Sequence, residues 1–368
     1  MTPHVLDWTQ AYHAGSARCG GKGVNLARLA RYGFPVPIGG VLTADAYTEL
    51  MRTPDLASRA GELTSVAADE TLNGPVTRKL QELRAAIEGA SLPAVVRADL
   101  ASFLADTGLA DTPVAVRSSA ISEDGAGASF AGIHRSFLNV RGLEAVEKAI
   151  LGCHASLWTP RALAYRRRLR LADPEVACAV VICAMIAGER GEPEAAGVAF
   201  SCHPRSGRRD LLLISAVPGS GDVLVAGVVT PEEIAIQRRD GRLHLRERSG
   251  RTDQVLSNDH AMELARLTLR VHWALGDGQQ PQDLEWAYAG NRFWLLQARP
   301  VTRVPHVTFP EIATLPVIWS NGNVNEVLPG IPTTLTWSLV QQTLRDILYE
   351  SLEVAGYSVP RMDVCRRF

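Results

Sequence analysis

Two strands joined by a turn can be read from residues 283–300, DLEWAYAGNRFWLLQARP. In the first strand acidic and apolar residues alternate, so Asp283 and Glu285 share one face while Trp286 lies on the other. Alternate residues of the second strand are expected to share a face as well: Phe293, Leu295, Gln297 and Arg299.

The connection through Gly290 determines which of these side chains face each other. With three residues in the connection, Glu285 lies opposite Gln297 with Arg299 two positions along, so a carboxylate, an amide oxygen and a guanidinium converge. A two-residue Gly-Asn turn instead places Leu296 opposite Glu285. Burial of Glu285 beside apolar residues without a cation is costly, so we prefer the first register. Oxygen ligands of this kind suit Mg²⁺, which takes one or two protein oxygens together with phosphates and water.

A lysine lies among glycines at the start of a predicted helix. Gly20-Gly21-Lys22-Gly23 opens a helix over Gly23 to Arg31, where free backbone N–H groups and the helix dipole favour a phosphate. The spacing is not that of a P-loop. A lysine in a solvated turn is the alternative interpretation.

An arginine and two hydroxyls follow a predicted buried strand over Val114 to Val116. Arg117, Ser118 and Ser119 stand where the strand ends, and a guanidinium there can hold phosphate oxygens bidentately. The segment 125–132 that follows is rich in small residues, as expected of a lid over a polyphosphate. The alternative is a flexible surface loop with Arg117 in a structural ion pair.

The overall composition excludes several classes of protein. The chain has 368 residues, 46% of them apolar, and its 38 Lys and Arg nearly balance its 39 Asp and Glu. No global basic field favours nucleic acid or a membrane surface, and five arginines within Arg161 to Arg170 indicate a helix with a solvated face. We find neither a leader peptide nor a membrane span, so a cytoplasmic location is expected. The six scattered cysteines indicate reduced thiols, most of them in the core.

Strands and helices mix without a regular βαβ alternation, which favours an α+β fold over a doubly wound sheet. Helices are expected where apolar residues recur at helical spacing, over residues 76–87, 143–150 and 259–275. Further strands are predicted at four places: Val114 to Val116, Ala179 to Ile182, Gly197 to Phe200 and Leu211 to Ser215.

Five segments, in this order, are similar to the ATP-binding family of pyruvate phosphate dikinase and phosphoenolpyruvate synthase, which includes rifampin phosphotransferase-like proteins. The segments are Gly20 to Leu26, Val114 to Asn139, Val225 to Pro231, Asp283 to Trp286 and Leu296 to Pro300. The resemblance implies an ATP-grasp-type, two-lobed nucleotide-binding domain followed by the start of a second domain. The implied divisions are lobes at 1–190 and 191–303, a linker at 304–316, and the beginning of an acceptor-binding domain at 317–368.

The resemblance also implies roles for individual residues, with ATP and Mg²⁺ as cofactors. Lys22 and Arg117 hold phosphates, a loop around Ser129 and Gly132 covers them, and Met185 contributes to nucleotide binding. Glu285 and Gln297 ligate the metal, and Arg299 steadies the transferred phosphoryl group, so that Arg117 and Arg299 are the expected catalytic residues. The sequence departs from the family at three positions near the nucleotide: Cys183, His203 and Asp222.

In the family, ATP phosphorylates a histidine on a mobile domain, which then phosphorylates a small-molecule acceptor. None of the nine histidines here lies in the family's Thr-x-x-His segment, and His272 matches a position inside the ATP domain. Three hypotheses follow. The chain is the ATP-binding part of a larger phosphotransferase, a separate subunit that works in trans with a histidine-domain partner, or a non-catalytic nucleotide-binding regulator.

Overall fold

The computed structural model describes residues 3–64, 66–67, 74–121, 135–168, 177–189, 191–225, 227–251 and 253–301. All of them belong to one compact unit, Met1–Thr308. Several predictions fall outside the described residues: Ser129, Gly132, Cys365, the linker at 304–316 and the second domain at 317–368.

The described chain alternates helices with antiparallel strands. The helices are α1 (Trp8–Ala14), α2 (Ser16–Arg31), α3 (Ala44–Met51), α4 (Pro54–Gly61), α5 (Gly74–Glu88), α6 (Ala94–Asp106), α7 (Leu143–Ala155), α8 (Pro160–Arg168), α9 (Asp222–Val225) and α10 (Asn258–Gly276). The strands are β1 (Val5–Asp7), β2 (Gly39–Leu42), β3 (Val114–Ala120), β4 (Ser136–Val140), β5 (Cys178–Ala184), β6 (Ala195–Phe200), β7 (Leu211–Pro218), β8 (Glu232–Arg239), β9 (Arg242–Gly250), β10 (Gln282–Tyr288) and β11 (Phe293–Pro300).

The first sheet has five strands in the order β1-β2-β5-β3-β4, and every pair is antiparallel. One face is covered by helices α3 to α8, which bury an apolar core against it. The predicted helical spacing is confirmed here, since Leu80, Leu83 and Ile87 of α5 and Val146 and Ile150 of α7 are all buried. This layer packs against the sheet in which β3, the strand of Arg117, lies between β5 and β4.

The second sheet has six strands in the order β11-β10-β6-β7-β8-β9, again all antiparallel. Helix α10 packs on one face, and its Leu264 and Val271 are fully buried. The same apolar core contains Leu26 of α2 and Val181 of β5, so it is shared with the first sheet. Helix α2 therefore links the two sheets, which brings its N-terminal glycines close to the strands that carry the predicted site.

The α+β class is confirmed, and each predicted strand and helix lies within an observed element of the same type, except that the helix predicted over Arg161 to Arg170 is described only to Arg168. The predictions did not include five strands, β1, β2, β4, β8 and β9, and β9 shows one reason. Its sequence, RLHLRERSG, is largely charged and exposed because it forms one edge of the second sheet. Without a buried face, an edge strand carries little of the apolar alternation by which strands are recognised.

Two expectations about side chains have definite outcomes. The five described cysteines are buried free thiols, as predicted: Cys19, Cys153, Cys178, Cys183 and Cys202. The arginine-rich segment forms helix α8, but its face is not simply solvated. Arg166 is only 2% exposed, and Arg167 donates to the carbonyls of Leu63 and Val66 at 2.9 Å each. Within the described ranges, no helix combines the length and hydropathy that a membrane span requires.

Candidate functional site

The hairpin of β10 and β11 places Glu285 directly opposite Gln297, as predicted. The reason given for that register was wrong, however. Tyr288 pairs with Phe293 and Ala289 N–H donates to the carbonyl of Arg292, so the connection is the two-residue Gly-Asn turn rather than a three-residue loop. Both turn residues have φ near 60°, as a tight hairpin turn requires.

A β-bulge reconciles the tight turn with the predicted pairing. Trp286 pairs with Leu295 and Glu285 pairs with Gln297, so Leu296 is an extra residue with no partner in β10. The expected common face of β11 is therefore wrong. Leu295 lies on the apolar side, opposite Trp286, whereas Gln297 lies on the side of Glu285. The bulge therefore lets Leu295 face the core while Gln297 faces the same side as Glu285.

Arg117 projects from β3 of the first sheet and contacts the second sheet through the hairpin. Its Nη2 donates to Glu285 Oε2 at 2.5 Å, and its Nη1 donates to the main-chain carbonyl of Leu296 at 3.2 Å. The side chains of Arg117 and Glu285 are 20% and 25% exposed, respectively. This ion pair joins the two sheets at a position that a ligand can still reach.

The charges around Glu285 keep it ionised. Burial alone would raise the pKa of this carboxyl, but Arg117 and, to a smaller extent, Arg299 and Lys22 outweigh burial and hold the pKa below its ordinary value. Burial likewise disfavours the charged guanidinium of Arg117, but Glu285 raises the pKa of Arg117 above its usual value. Three cationic side chains therefore act on one carboxylate.

Asp283 is a site residue for which the sequence predicted no role. Its Oδ2 accepts from Arg299 Nε at 2.9 Å, and its Oδ1 is buried with no hydrogen-bond partner among the described residues. Burial raises the pKa of Asp283 above its ordinary value, against the opposing effect of Arg299, and the charge of Glu285 raises it further. The predicted alternation already placed Asp283 beside Glu285, and the predicted register placed Arg299 opposite it. The alternation and the register together were therefore enough to assign Asp283 to the site.

Lys22 is brought to the site by the glycine-rich start of the second half of α2. The helix is kinked at Gly20, which has φ of 64°, and a side chain there would collide with the main chain of Ser119. Ser119 Oγ accepts from Gly23 N–H at 3.2 Å and donates to the carbonyl of Cys19 at 3.0 Å. The ammonium of Lys22 donates to the carbonyl of Ser118 at 3.2 Å. The strand of Arg117 thus caps the helix of Lys22.

A cavity of about 340 Å³ opens beside these groups, within the range of small-molecule sites. Arg117 and Glu285 line one part of it, and Met185 lines it together with Cys183 and Asp222. Burial raises the pKa of Cys183 to about 11, against the opposing effect of Arg117, so this thiol is neutral. Three predicted residues do not line the cavity: Lys22, Gln297 and Arg299.

The charges fit an anionic ligand that brings its own metal ligands. Three cations (Lys22, Arg117 and Arg299) act on the carboxylate of Glu285. Asp283 is paired with Arg299, and Asp222 is a further carboxylate on the cavity wall. Among the described residues, no group of three or more His, Cys, Asp or Glu side chains is arranged to hold a metal ion. A divalent cation here would need oxygens from a ligand such as a polyphosphate, as Mg²⁺ commonly does.

Two histidines noted in the sequence have structural roles. His272 is 7% exposed, and its Nδ1 lies 3.1 Å from the carbonyl of Gln280. Burial lowers the pKa of His272, which favours the neutral ring. His203 Nδ1 accepts from Ser206 N–H at 3.1 Å, an arrangement that closes a turn.

Comparison with known proteins adds an independent observation. Residues 16–313 match the family described as pyruvate phosphate dikinase, AMP/ATP-binding domain. The chain is 33% identical to a probable phosphoenolpyruvate synthase of Methanocaldococcus jannaschii, over 77% of this chain and 25% of that relative. It is 33% identical to a rifampicin phosphotransferase of Streptomyces sviceus, over 81% of this chain and 36% of the relative. A probable phosphoenolpyruvate synthase of Methanothermobacter thermautotrophicus is 34% identical, over 78% of this chain and 44% of the relative. The chain spans less than half the length of these relatives.

Proposed function

Since the chain belongs to the pyruvate phosphate dikinase AMP/ATP-binding family, we propose that it binds Mg-ATP between its two sheets and transfers a phosphoryl group from it. The observation that carries the proposal is the convergence on Glu285 of three cations, Lys22, Arg117 and Arg299. These cations come from α2, β3 and β11. Three cations from three separate elements around one solvent-accessible carboxylate are the arrangement expected where an anion binds.

The nucleotide occupies the cavity with its phosphates toward Arg117. The apolar part of the wall, which includes Met185 and Leu296, suits a base, and the charged end suits phosphates. Residues 122–134 join β3 to β4, and both strands contribute side chains to the cavity wall. The phosphate-covering role proposed for Ser129 and Gly132 rests on the family resemblance, since both lie outside the described residues. The two sheets act as the two lobes of an ATP-grasp-type domain, divided near residue 190.

Glu285 and Gln297 hold the metal. The pairing across β10 and β11 puts a carboxylate and an amide oxygen on the same side of the hairpin, and the low pKa of Glu285 keeps the carboxylate available as a ligand. Mg²⁺, when bound, neutralises charge on the phosphates. If Glu285 ligates the metal, its carboxylate would attract Arg117 less strongly, and the guanidinium would become available to a phosphate.

The chain's own residues act on the phosphoryl group mainly by position and charge. Arg117 and Lys22 orient the phosphates, and Arg299 stabilises the negative charge of the phosphoryl group in flight. Asp283 Oδ2 accepts from Arg299 Nε at 2.9 Å, and this contact fixes the guanidinium of Arg299. No acid–base residue is required of this chain, because phosphoryl transfer depends chiefly on alignment and charge neutralisation.

The phosphoryl group passes first to a histidine, carried on a domain of the same protein or on a partner chain, and then to a small-molecule acceptor. Some relatives are named phosphoenolpyruvate synthase and others rifampicin phosphotransferase, so the names of the relatives point to more than one acceptor. The acceptor of this chain is therefore to be found by experiment.

Binding is tested by isothermal titration calorimetry with ATP, in the presence of Mg²⁺ and in the presence of a chelator. We expect Mg-dependent binding to the wild-type chain and its loss in Glu285→Ala and Arg117→Ala, with circular dichroism unchanged. Arg239 is exposed at the end of β8 and provides the control: Arg239→Ala should bind Mg-ATP normally. A wild-type chain that binds no Mg-ATP refutes the proposal.

Transfer is tested by incubating the chain with γ- or β-labelled ATP and candidate histidine-domain proteins. Acid-labile, base-stable label on the added protein is expected, because phosphohistidine has that stability. Label transfer that persists in Arg299→Ala would contradict the role given to this arginine. A chain that binds Mg-ATP yet labels none of these proteins would favour the regulatory alternative.

A further inference from the structure

The bulge in β11 exists although the hairpin does not need it. If Leu296 were removed, Leu295 and Gln297 would become neighbours, and their partners Trp286 and Glu285 are already neighbours in β10. Every observed pair would be retained in a regular ladder. The extra residue therefore contributes nothing to the register, and a bulge disrupts the ladder where it occurs.

What Leu296 does contribute is an acceptor for Arg117. The bulge releases its carbonyl from the regular ladder, and Arg117 Nη1 donates to that carbonyl at 3.2 Å. The second acceptor is Glu285, whose Oε2 accepts from Arg117 Nη2 at 2.5 Å. The guanidinium is thus held by one charged group and one fixed main-chain group, both from the same hairpin.

We propose that Leu296 is a positioning residue whose main-chain carbonyl keeps Arg117 aimed at the ligand when Glu285 turns to the metal. The part of this inference that concerns metal rests on the proposed function. Glu285 pairs with Arg117 through Oε2 alone, and a metal ion on this carboxylate would withdraw negative charge from it and so weaken the pair. The carbonyl of Leu296 carries no charge, does not change its partner, and so holds Nη1 in both states.

The first test uses the ligand-free protein and a double-mutant cycle in urea. The four chains are wild type, Arg117→Ala, a deletion of Leu296, and the two changes together. We expect the deletion to lower the unfolding midpoint in the wild-type background and to have a much smaller effect once Arg117 is absent, because the two changes remove the same contact. Equal effects in both backgrounds overturn the inference.

The second test measures affinity for Mg-ATP and for adenosine by calorimetry. Deletion of Leu296 should weaken Mg-ATP by about tenfold more than it weakens adenosine, since it removes a hydrogen bond to a charged group in addition to part of the cavity wall. Leu296→Ala is the comparison variant: it trims the cavity wall but keeps the carbonyl, so it should weaken Mg-ATP and adenosine by the same factor. Parallel losses for both ligands in the deletion variant indicate general damage and overturn the inference.

A third measurement covers the case in which the deletion variant does not fold. In a crystal structure of Glu285→Ala, Arg117 Nη1 should remain within hydrogen-bond distance of the Leu296 carbonyl. An arginine that leaves the carbonyl when the carboxylate is absent overturns the inference. These outcomes differ from failure of the proposed function, which would show as a wild-type chain that binds no Mg-ATP while the coupling in urea persists.

Discussion

Replacement of Glu285 by glutamine separates the two roles assigned to this carboxylate. The change preserves size and a side-chain oxygen, so the hydrogen bond from Arg117 Nη2 can still form, but the negative charge is lost. The ligand-free protein loses the electrostatic part of one contact. The nucleotide-bound protein loses a charged metal ligand. The two effects have different sizes and can be measured apart.

The cost to the ligand-free protein is small. Arg117 stays charged after the change, so its hydrogen bond to the new amide still involves a charged group; what is lost is the attraction between opposite charges, about 0.5–1.5 kcal/mol. The partners are 20% and 25% exposed, so solvent screening favours the lower end. The cost to Mg-ATP binding is larger. Loss of outer-shell partners of a metal costs up to about 100-fold, so loss of a direct ligand should cost at least about 100-fold, or about 2.7 kcal/mol.

Binding of metal-free ATP should change in the opposite direction. In the presence of a chelator the carboxylate of Glu285 repels the phosphates and occupies Arg117, and glutamine does neither. Calorimetry should therefore give equal or tighter binding of free ATP to Glu285→Gln than to wild type, while Mg²⁺ no longer improves it. If Mg²⁺ strengthens ATP binding equally in both proteins, Glu285 is not the metal ligand and the reasoning fails.

Three further predictions concern His154, Ser119 and Asp283. Burial lowers the pKa of His154 to about 3, below its unfolded value of 6.5, so the fold requires a neutral ring. Stability should be complete above pH 6.5 and lost as the pH falls, by about 2 kcal/mol at pH 5, and urea titrations of His154→Phe should lack this loss. Ser119→Ala leaves two buried main-chain groups unpaired and should cost about 1–2 kcal/mol in urea unfolding while weakening Mg-ATP more than adenosine through Lys22. Asp283→Asn should destabilise the ligand-free protein less than Glu285→Gln, because burial already disfavours the Asp283 carboxylate; a larger loss in urea would contradict the raised pKa.

The sequence predicted the pairing of Glu285 with Gln297 but not the means by which it arises. Alternation and the cost of burying a carboxylate selected the right partners, since both are local properties of two strands. The bulge at Leu296 could not be predicted in the same way. A bulge becomes visible only when the turn and the far end of the hairpin are fixed together, and the turn here is fixed by Tyr288 Oη, which donates to Asn291 at 2.7 Å.

Contacts between distant segments were likewise beyond a reading of local patterns. The cap that Ser119 provides for Gly23 joins residues 96 apart in the chain, and the bond from Asn25 to the carbonyl of Ala298 spans 273 residues. The expectation that an anion site lies at the start of this helix came from the glycines alone. Its location beside Arg117 needed the fold, because only the packing of α2 between the sheets brings the two cations together.

The sequence left two interpretations of Arg117, a phosphate ligand or half of a structural ion pair, and the geometry favours a single account that contains both. A purely structural pair has no need to border a cavity. This pair borders one, remains partly exposed, and lies near two further cations, Lys22 and Arg299. Such a pair is stable without ligand and is poised for exchange with an anion that carries a cation. Under the proposed function, the ion pair would be the ligand-free state of the phosphate site, and the carbonyl of Leu296 would be the contact that Arg117 keeps when the ligand binds.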